Sequence, residues 1–286
     1  MRMNPKHKLP EFIITVGKTI KKICRQGKRY IKFGSKNYIK AISVESIDFD
    51  IVINPSKNGC VDECIALKGR WEPELSHKLA QYIKSGDTFV DIGSNIGYHA
   101  LFSASLLKNT GKVIAFEPIK SLAHQIEESV EANQFDNVEV YQVGLGDKIE
   151  NLNLYVRDEN MGGSSLSEYE NLNIVRASSV QTVNIKTLDT LFPPETRVDV
   201  IKIDVEGYEF EALKGAENLL REQKPVIFME FSPIFYKLDY PGKASELITF
   251  LESFGYSFET MTGFPINLKQ WLIDTENPTQ VDVICK

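Results

Sequence analysis

The spacing of apolar residues changes character along this chain of 286 residues. From residue 88 onward, short runs of β-forming residues alternate with longer segments whose apolar positions recur at helical spacing. The predicted strands include FVDIG, KVIAFEP, VEVYQVGLG, VNIKTL, VDVIKIDVEG and PVIFMEF, and the predicted helices include residues 97–108, SLAHQIEESVEANQ, EFEALKGAENLLRE and ASELITFLESFG. This alternation predicts an α/β domain with a mainly parallel sheet covered by helices on both faces.

The beginning of the chain and one internal segment depart from this alternation. YIKFG, YIKAISV and SIDFDIVIN predict short strands. Residues 1–67 are therefore expected to form an N-terminal basic helix and β element, before a larger domain at 68–286. Residues 158–180 are polar and rich in glycine and serine, which predicts a long loop of the kind that often acts as a lid or binding loop.

Charge is distributed unevenly along the chain. Residues 1–41 contain twelve Lys and Arg and one acid, a net charge of +11, whereas the whole chain carries −6, so the remainder carries −17. Apolar residues recur at helical spacing within this basic arm. The arm is either an interfacial helix on an anionic membrane or a helix that packs on the body with its lysines in water. No motif typical of nucleic-acid binding accompanies it, so no such partner is expected.

The cysteines and the hydropathy indicate the compartment. Four cysteines are few for a disulfide scaffold in a chain of this length, which predicts reduced thiols and a cytoplasmic protein. Cys60 and Cys64 are expected in or near a strand, because the spacing in CVDEC does not match the CxxC pairs of a zinc knuckle. No apolar run approaches the roughly 18 residues that span a bilayer. The first residues lack a signal-peptide cleavage site, so no secretory signal is expected.

The stretch DIGSNIG, residues 91–97, lies between a predicted strand and a predicted helix. A glycine-rich turn at this place lets the backbone approach a ligand, and the next helix begins with free N–H groups. The turn does not match the dinucleotide fingerprint GxGxxG, and Asp91 would repel a phosphate. S-adenosylmethionine fits better, because it carries an ammonium and a sulfonium and no phosphate.

Two further strand ends support the same cofactor. Glu117 ends KVIAFEP, where a carboxylate can accept hydrogen bonds from both hydroxyls of a ribose. In VGLGD, Gly146 leaves room for a flat base, and Asp147 can accept from its exocyclic amine. Each residue also has a structural alternative, such as a close packing contact for Gly97 or a turn for Asp147. The residues expected to bind S-adenosylmethionine are Asp91, Gly93, Ser94, Asn95, Gly97, Glu117, Pro118, Gly146 and Asp147.

DIGSNIG, AFEP, GLGD, TLDTL, VIKIDVEGYEFEALKGA and PVIFMEF together resemble the FkbM family of S-adenosylmethionine-dependent methyltransferases. The likeness covers about residues 68–262, and KIDVEG is its most specific part. The resemblance implies the class I methyltransferase Rossmann-like fold, with a seven-stranded, mainly parallel sheet and an antiparallel last strand. It also implies O-methylation of a hydroxyl, commonly on a sugar or a polyketide-like product. His99 departs from the pattern, because similar sequences usually carry a small hydroxyl or aromatic residue there.

The strand VDVIKIDVEG supplies most of the candidate catalytic residues. If the strand continues that far, alternation along it places Lys202, Asp204 and Glu206 on one side, at the same crevice. Asp204 is the first candidate for the general base that takes a proton from the acceptor hydroxyl, and Glu206 is the second. Lys202 could lower the pKa of a neighbour or bind an anionic substrate. Glu206 could instead cap a helix at residues 207–220.

Glu230 ends the neighbouring strand PVIFMEF and is a candidate substrate residue. Together with Asp204 and Glu206 it could hold Mg²⁺, which prefers oxygen ligands. His99 is a further candidate for the base, although a lone histidine is more often packed or solvated than catalytic.

Three residues outside these strands are candidates for contact with the acceptor. Glu72 precedes the first strand of the larger domain and could cover the cofactor or a sugar ring. Ser164 and Ser165 belong to the predicted lid loop and could donate hydrogen bonds to a substrate, with an ordinary surface turn as the alternative.

The sequence therefore predicts an S-adenosylmethionine-dependent methyltransferase acting on a small-molecule or glycan acceptor, at a hydroxyl of a carbohydrate or of a glycosylated or polyketide-like metabolite. Two alternatives stay open. One is an N-methyltransferase, although the strand ends in IDVEG and not in the Asn/Asp-Pro-Pro-aromatic motif of base N-methyltransferases. The other is a non-catalytic module that binds the cofactor or a glycan and docks on a membrane through the basic arm.

Overall fold

The computed structural model describes residues 36–56, 59–156, 164, 166, 178–233, 242–275 and 280–286. The basic arm through residue 35 and the predicted strand YIKFG therefore lie outside the described residues. The strands in the described part are β1 Tyr38–Val44, β2 Ile47–Ile53, β3 Thr88–Ile92, β4 Lys112–Phe116, β5 Val138–Tyr141, β6 Gly144–Leu145, β7 Glu150–Val156, β8 Ser179–Lys186, β9 Val200–Ile203, β10 Val226–Phe231, β11 Phe258–Thr260 and β12 Val281–Cys285.

Helices fill most of the intervals between these strands. In the same part of the chain they are α1 Cys60–Lys68, α2 Pro73–Tyr82, α3 Tyr98–Leu107, α4 Lys120–Asn133, α5 Leu188–Leu191, α6 Glu209–Lys214, α7 Glu217–Gln223, α8 Lys243–Ser253 and α9 Leu268–Asp274. The alternation of strands and helices predicted from residue 88 onward is therefore present.

The central sheet has seven strands in the order β11-β12-β10-β9-β3-β4-β5. Strands β10, β9, β3, β4 and β5 pair in parallel along this order. The last strand, β12, is antiparallel to both of its neighbours, β10 and β11. This topology confirms the predicted fold class.

Both faces of the central strands are covered. All four residues of β9 are buried, and so are the last four of β3. Parallel strands buried in this way read as continuous apolar runs, because helices pack on each face of the sheet. The carboxyl ends of β3, β4, β9 and β10 meet at one edge, which is where open α/β sheets bind ligands.

Side chains of α4 bind the edge of the β1–β2 hairpin in place of a third strand. The Val52 N–H donates to Ser129 Oγ at 2.9 Å, and Gln125 Nε2 donates to the Val52 carbonyl at 2.7 Å. One turn further along α4, Asn133 accepts from the Asp50 N–H at 2.7 Å and donates to the Asp50 carbonyl at 2.6 Å. The helix thereby satisfies backbone groups that an edge strand would otherwise leave open.

Two predicted elements are each divided in the structure. The predicted strand VEVYQVGLG forms β5 in the central sheet and β6 in a separate three-stranded sheet of order β6-β8-β7. The predicted helix at residues 207–220 forms α6 and α7. Gly215, between these two helices, lies so close to the second sheet that a Cβ on it would be 1.9 Å from the Gly146 carbonyl oxygen.

The cysteine predictions need two corrections. Cys60 and Cys64 lie in helix α1, not in or near a strand, because the segment after β2 turns back as a helix. Cys64 and Cys285 have free thiols, as predicted, whereas Cys60 is disulfide-bonded. Among the helices of the described residues, none is both long and apolar enough to cross a lipid bilayer.

Candidate active site

DIGSNIG forms the turn between β3 and α3, as the sequence predicts. Gly93, Asn95 and Gly97 have positive φ angles of 75°, 53° and 81°. The N–H groups of Gly93 and Ser94 both donate to the Phe116 carbonyl, at 3.0 Å each. These two hydrogen bonds hold the turn at the carboxyl end of β4.

The two glycines of the turn allow close approaches by neighbouring elements. A Cβ on Gly93 would lie 2.0 Å from the Asp204 carbonyl oxygen, so only glycine lets the turn lie against the end of β9. A Cβ on Gly97 would lie 3.0 Å from Ile126 of α4. Gly97 therefore makes the packing contact that was its structural alternative.

Lys202 connects the turn to the acids around it. It is 6% exposed, and it lies in register with Asp91 in the parallel pair β3–β9. Its Nζ donates to the Gly93 carbonyl at 2.9 Å and lies 3.4 Å from Asp91 Oδ1 and 3.9 Å from Asp204 Oδ2. Burial favours the neutral amine, but Asp91 and Asp204 outweigh it and raise the pKa of Lys202. Lys202 is thus a buried cation that holds the turn together.

Asp91 is the most deeply buried acid of the turn, at 1% exposure. Apart from its ion pair with Lys202, neither carboxyl oxygen of Asp91 has a hydrogen-bond partner among the described residues. A buried carboxylate in this state is expected to accept hydrogen bonds from a ligand or from water.

Glu117 joins the ends of β3 and β4. Its Oε2 accepts from the Asn95 N–H at 2.9 Å, and its Oε1 accepts from the Ile119 N–H at 2.8 Å. Burial raises the pKa of Glu117 to about 7, and these two hydrogen bonds oppose the rise. Each carboxyl oxygen keeps a second lone pair for a ligand. Pro118, which follows Glu117, is half-buried.

Gly146 packs against the second sheet, and Asp147 pairs with helix α6. A Cβ on Gly146 would lie 2.7 Å from Ile185 of β8. Asp147 forms a half-exposed ion pair with Lys214 of α6, with Oδ2 and Nζ 3.0 Å apart. The predicted role of Gly146 and Asp147 in adenine binding therefore stays a prediction.

Glu72 and His99 are in contact although Glu72 precedes β3 in the chain and His99 follows it. His99 Nε2 lies 3.0 Å from Glu72 Oε2, and the imidazole is 4% exposed. Burial lowers the pKa of His99 to about 3 and raises that of Glu72, so the imidazole is neutral near pH 7. His99 and Glu72 therefore form a hydrogen bond and not an ion pair. Their spacing along the chain could not have indicated that they meet.

Glu230 faces a residue that sequence reasoning missed. Glu230 of β10 and Asp282 of β12 are direct partners in the antiparallel register. Burial raises the pKa of Asp282 to about 7, with Glu72 and Asp204 adding to the rise, and burial also raises the pKa of Glu230 well above its usual value. The register of the last strand places Asp282 here, and the chain itself carried no motif that could have found it.

The predicted alternation does not extend to Asp204 and Glu206, because β9 ends at Ile203 and both residues lie in the loop that follows it. Asp204 is about one-third exposed, and burial raises its pKa while Lys202 opposes that rise. Glu206 has a positive φ of 51° in the tight turn before α6. Glu209, the first residue of α6, accepts from the N–H groups of Val205 and Gly207 at 3.2 and 3.1 Å, and the N-cap residue Tyr208 makes no side-chain capping hydrogen bond.

The magnesium prediction is not supported, and most of the predicted lid loop at residues 158–180 lies outside the described residues. In the described part of the chain no group of three or more His, Cys, Asp or Glu is arranged to hold a metal ion. The magnesium prediction for Asp204, Glu206 and Glu230 thus has no support from their arrangement. Ser164 is half-buried, and Ser165 lies outside the described residues.

The sheet order and the glycine turn define a class I methyltransferase. The Methyltransferase FkbM domain profile matches residues 91–258, which is more than half of the chain. The protein belongs to the FkbM family of S-adenosylmethionine-dependent methyltransferases, as its motifs predicted.

Individual relatives are distant. The chain is 25% identical over 252 residues to Methyltransferase 1 of Beauveria bassiana, covering 79% of this chain and 94% of that protein. It is 39% identical over 66 residues to Protein-L-isoaspartate O-methyltransferase 2 of Archaeoglobus fulgidus, covering 23% of this chain and only 30% of that protein. Among solved structures, Methyltransferase FkbM from Methylobacillus flagellatus aligns with a TM-score of 0.45 and 16% identity, over 70% of this chain and 44% of that one.

Proposed function

We propose that the protein transfers a methyl group from S-adenosylmethionine to a hydroxyl of a carbohydrate or of a glycosylated or polyketide-like metabolite. The observation that carries this proposal is the contact between the glycine turn at residues 91–97, where the methyl donor would bind, and Asp204, an acid on the side of the acceptor. The backbone of Gly93 lies against the backbone of Asp204, so closely that a Cβ on Gly93 would be 2.0 Å from the Asp204 carbonyl oxygen. A cofactor on the turn and a proton acceptor on β9 would thus be neighbours.

The residues around the turn suit the parts of the methyl donor. Asp91 has buried oxygens without a hydrogen-bond partner among the described residues, and they could accept from the ammonium of the cofactor. Gly93 has no side chain to block the approach of the ligand. Glu117 keeps lone pairs for the two ribose hydroxyls and is already fixed by the N–H groups of Asn95 and Ile119.

Asp204 is the proposed general base. When bound, S-adenosylmethionine would supply an electrophilic methyl group, to which the acceptor oxygen would bond while the electrons of the broken C–S bond stay on sulfur. Asp204 takes the proton of the acceptor hydroxyl. Its raised pKa makes it a stronger base than an ordinary aspartate, and its partial exposure leaves it accessible. Lys202 opposes the rise in the pKa of Asp204 and so favours its ionised form.

Glu72 and His99 are proposed to position the acceptor beside Asp204. Asp204 and His99 interact electrostatically, and Glu72 is hydrogen-bonded to His99. The side chain of Glu72 is 24% exposed, so one carboxyl oxygen could accept from a second hydroxyl of the substrate. Burial lowers the pKa of His99 to about 3, which makes its neutral imidazole a weaker base than Asp204, whose pKa is raised.

The donor site is tested by thermal unfolding with S-adenosylhomocysteine, using NAD as the control ligand. A ligand at about 100 times its Kd should add roughly 2.7 kcal/mol to the free energy of unfolding. We expect stabilisation by S-adenosylhomocysteine and not by NAD, and a much smaller effect in Glu117→Ala. Stabilisation of wild type and Glu117→Ala to the same extent would remove Glu117 from the site.

The acceptor chemistry is tested by methyl transfer from labelled S-adenosylmethionine to a panel of glycans and glycosylated metabolites, with mass spectrometry and NMR of the product. We expect a methyl ether, and loss of turnover in Asp204→Asn without loss of S-adenosylhomocysteine affinity. Asp136→Asn, at an exposed position, is the matched control. A methylated nitrogen in the product would favour the N-methyltransferase alternative.

A further inference from the structure

Several carboxyl groups share one face of the central sheet at its carboxyl edge. Asp91 and Lys202 are partners in the β3–β9 register, and Lys202 is the partner of Phe228 in the β9–β10 register. Side chains two residues apart along a strand lie on the same face. Glu230, two residues beyond Phe228, therefore lies on the face that carries Asp91 and Lys202, and its antiparallel partner Asp282 lies there too.

Glu230 and Asp282 have no balancing cation in the part of the chain that the structure describes. None of the ion pairs among the described residues includes either carboxyl group. Glu230 Oε1 accepts one hydrogen bond from Ser232 Oγ at 3.0 Å, and Asp282 interacts with Gln280. Desolvated carboxyl groups that lack a counter-ion are costly for the fold, so they are commonly kept for binding.

A second feature of the same cluster indicates a ligand. His99 is only 4% exposed, and its Nδ1 has no hydrogen-bond partner among the described residues. The charged groups that act most strongly on His99 are Lys202, Asp91 and Asp204, so this imidazole belongs to the same region. A polar nitrogen buried without a partner is expected to meet a water molecule or a ligand group.

We propose that Glu230 and Asp282 bind two neighbouring hydroxyls of an uncharged sugar ring in the acceptor, so that the last strand of the chain forms part of the acceptor site. This inference rests on the proposed function, since it names the substrate class of that same site. Asp282 acts here as a specificity-determining residue, and Asp204 remains the base.

The charge of the cluster favours hydroxyls over other groups. Glu72, Asp204, Glu230 and Asp282 act on one another electrostatically, and Lys202 is already bound to Gly93 and Asp91. A phosphate or carboxylate on the acceptor would be repelled by these acids. Burial raises the pKa of both Glu230 and Asp282, so protonated carboxyl groups are available near neutral pH and the pair can donate as well as accept. This matches a pair of hydroxyls better than an ammonium, which only donates.

The test is binding of the full chain, saturated with S-adenosylhomocysteine, to an array of neutral, aminated, phosphorylated and carboxylated glycans. We expect the bound glycans to be neutral and to carry vicinal hydroxyls. Asp282→Asn should weaken their binding at least tenfold while leaving the affinity for S-adenosylhomocysteine unchanged. Asp136→Asn should bind as the wild type does.

The other outcomes separate this inference from the proposed function. Preferential binding of phosphorylated, carboxylated or aminated glycans would overturn it, and so would unchanged binding by Asp282→Asn. If S-adenosylhomocysteine binds and no glycan does, the sugar assignment is overturned while the methyl-donor site stands. If S-adenosylhomocysteine itself fails to bind, the proposed function is overturned, and this inference with it.

Stability provides a readout that needs no acceptor. At pH 8, Asp282→Asn removes an unbalanced charge, so we expect its Tm to exceed that of the wild type. The control Asp136→Asn should leave the Tm unchanged. A lower Tm in Asp282→Asn would indicate that the carboxylate stabilises the fold, and the role in acceptor binding would then be overturned.

Discussion

His99 Nε2 and Glu72 Oε2 lie 3.0 Å apart, in a hydrogen bond between α3 and the residue that precedes α2. Burial disfavours the charged form of each group, lowering the pKa of His99 to about 3 and raising that of Glu72. The pair is therefore a hydrogen bond between a neutral imidazole and the carboxyl group of Glu72, and it connects the segment before β3 to the helix that follows the glycine turn.

The buried imidazole should make the free energy of unfolding depend on pH. The pKa of His99 is about 3 in the folded chain and about 6.5 when unfolded, so the stability it contributes is complete above 6.5 and is lost as pH falls towards 3. Each pH unit in this window corresponds to about 1.4 kcal/mol. Urea unfolding at pH 7.5 and pH 5.0 should show a loss on acidification that is smaller in His99→Gln than in the wild type by about 2 kcal/mol.

The exposed His124 provides the control for this measurement. His124→Gln should retain the full acid sensitivity of the wild type. Equal pH dependence in His99→Gln and the wild type would show that the imidazole is protonated in the folded state.

Glu117 should make cofactor affinity fall as the pH falls. Burial raises its pKa from 4.5 to about 7, so the protonated form stabilises the fold below pH 4.5, and that stabilisation is lost as the pH rises from 4.5 to 7. Ribose hydroxyls need the ionised acceptor, so the Kd for S-adenosylhomocysteine should be up to about tenfold weaker at pH 6 than at pH 8. Calorimetry on Glu117→Gln should show weak binding at both pH values, whereas Glu131→Gln, an exposed change on α4, should behave as the wild type does. A pH-independent Kd in the wild type would contradict the proton-linked role.

Gly93→Ala should destabilise the protein far more than Gly69→Ala. Both positions have a positive φ, 75° and 67°, so both substitutions introduce backbone strain of roughly 1–2 kcal/mol. Only the Cβ at position 93 meets another atom, 2.0 Å from the Asp204 carbonyl oxygen, whereas nothing lies within 4 Å at position 69. Thermal unfolding should show an additional loss of about 1–3 kcal/mol for Gly93→Ala. Equal losses in the two variants would mean that the turn moves freely away from β9.

Lys202→Met should be strongly destabilising because it leaves buried carboxylates without their cation. Removing one partner of a buried ion pair typically costs about 3–5 kcal/mol, whereas Lys214→Met, which breaks the half-exposed pair with Asp147, should cost at most about 1 kcal/mol. Lys202 lowers the already raised pKa of Asp204, so its loss raises that pKa further. The deficit in unfolding free energy should therefore be larger at pH 8 than at pH 5. A deficit that is the same at both pH values would show that Asp204 does not depend on Lys202.

The local pattern of the chain was sufficient to predict most of the helices and strands and the glycine turn at residues 91–97. Alternating and continuous apolar runs predict strands because side-chain direction repeats every two residues, and the glycines of DIGSNIG indicate backbone approach because only they lack a Cβ. The breaks after β5 and within residues 207–220 were not predicted. Gly215 lies against Gly146, which is far from it in the chain, so no local signal reports that contact.

The amino-acid sequence by itself determined the α/β alternation, the glycine turn at residues 91–97 and the position of Glu117 at a strand end, since each depends on short-range spacing. Only the tertiary structure decided that Glu72 binds His99, that Lys202 holds Gly93 and Asp91, and that Glu230 faces Asp282. The physical reason is strand register. The sheet order places β12, the last strand, beside β10, and which carboxyl groups then face each other depends on hydrogen bonds between segments far apart in the chain.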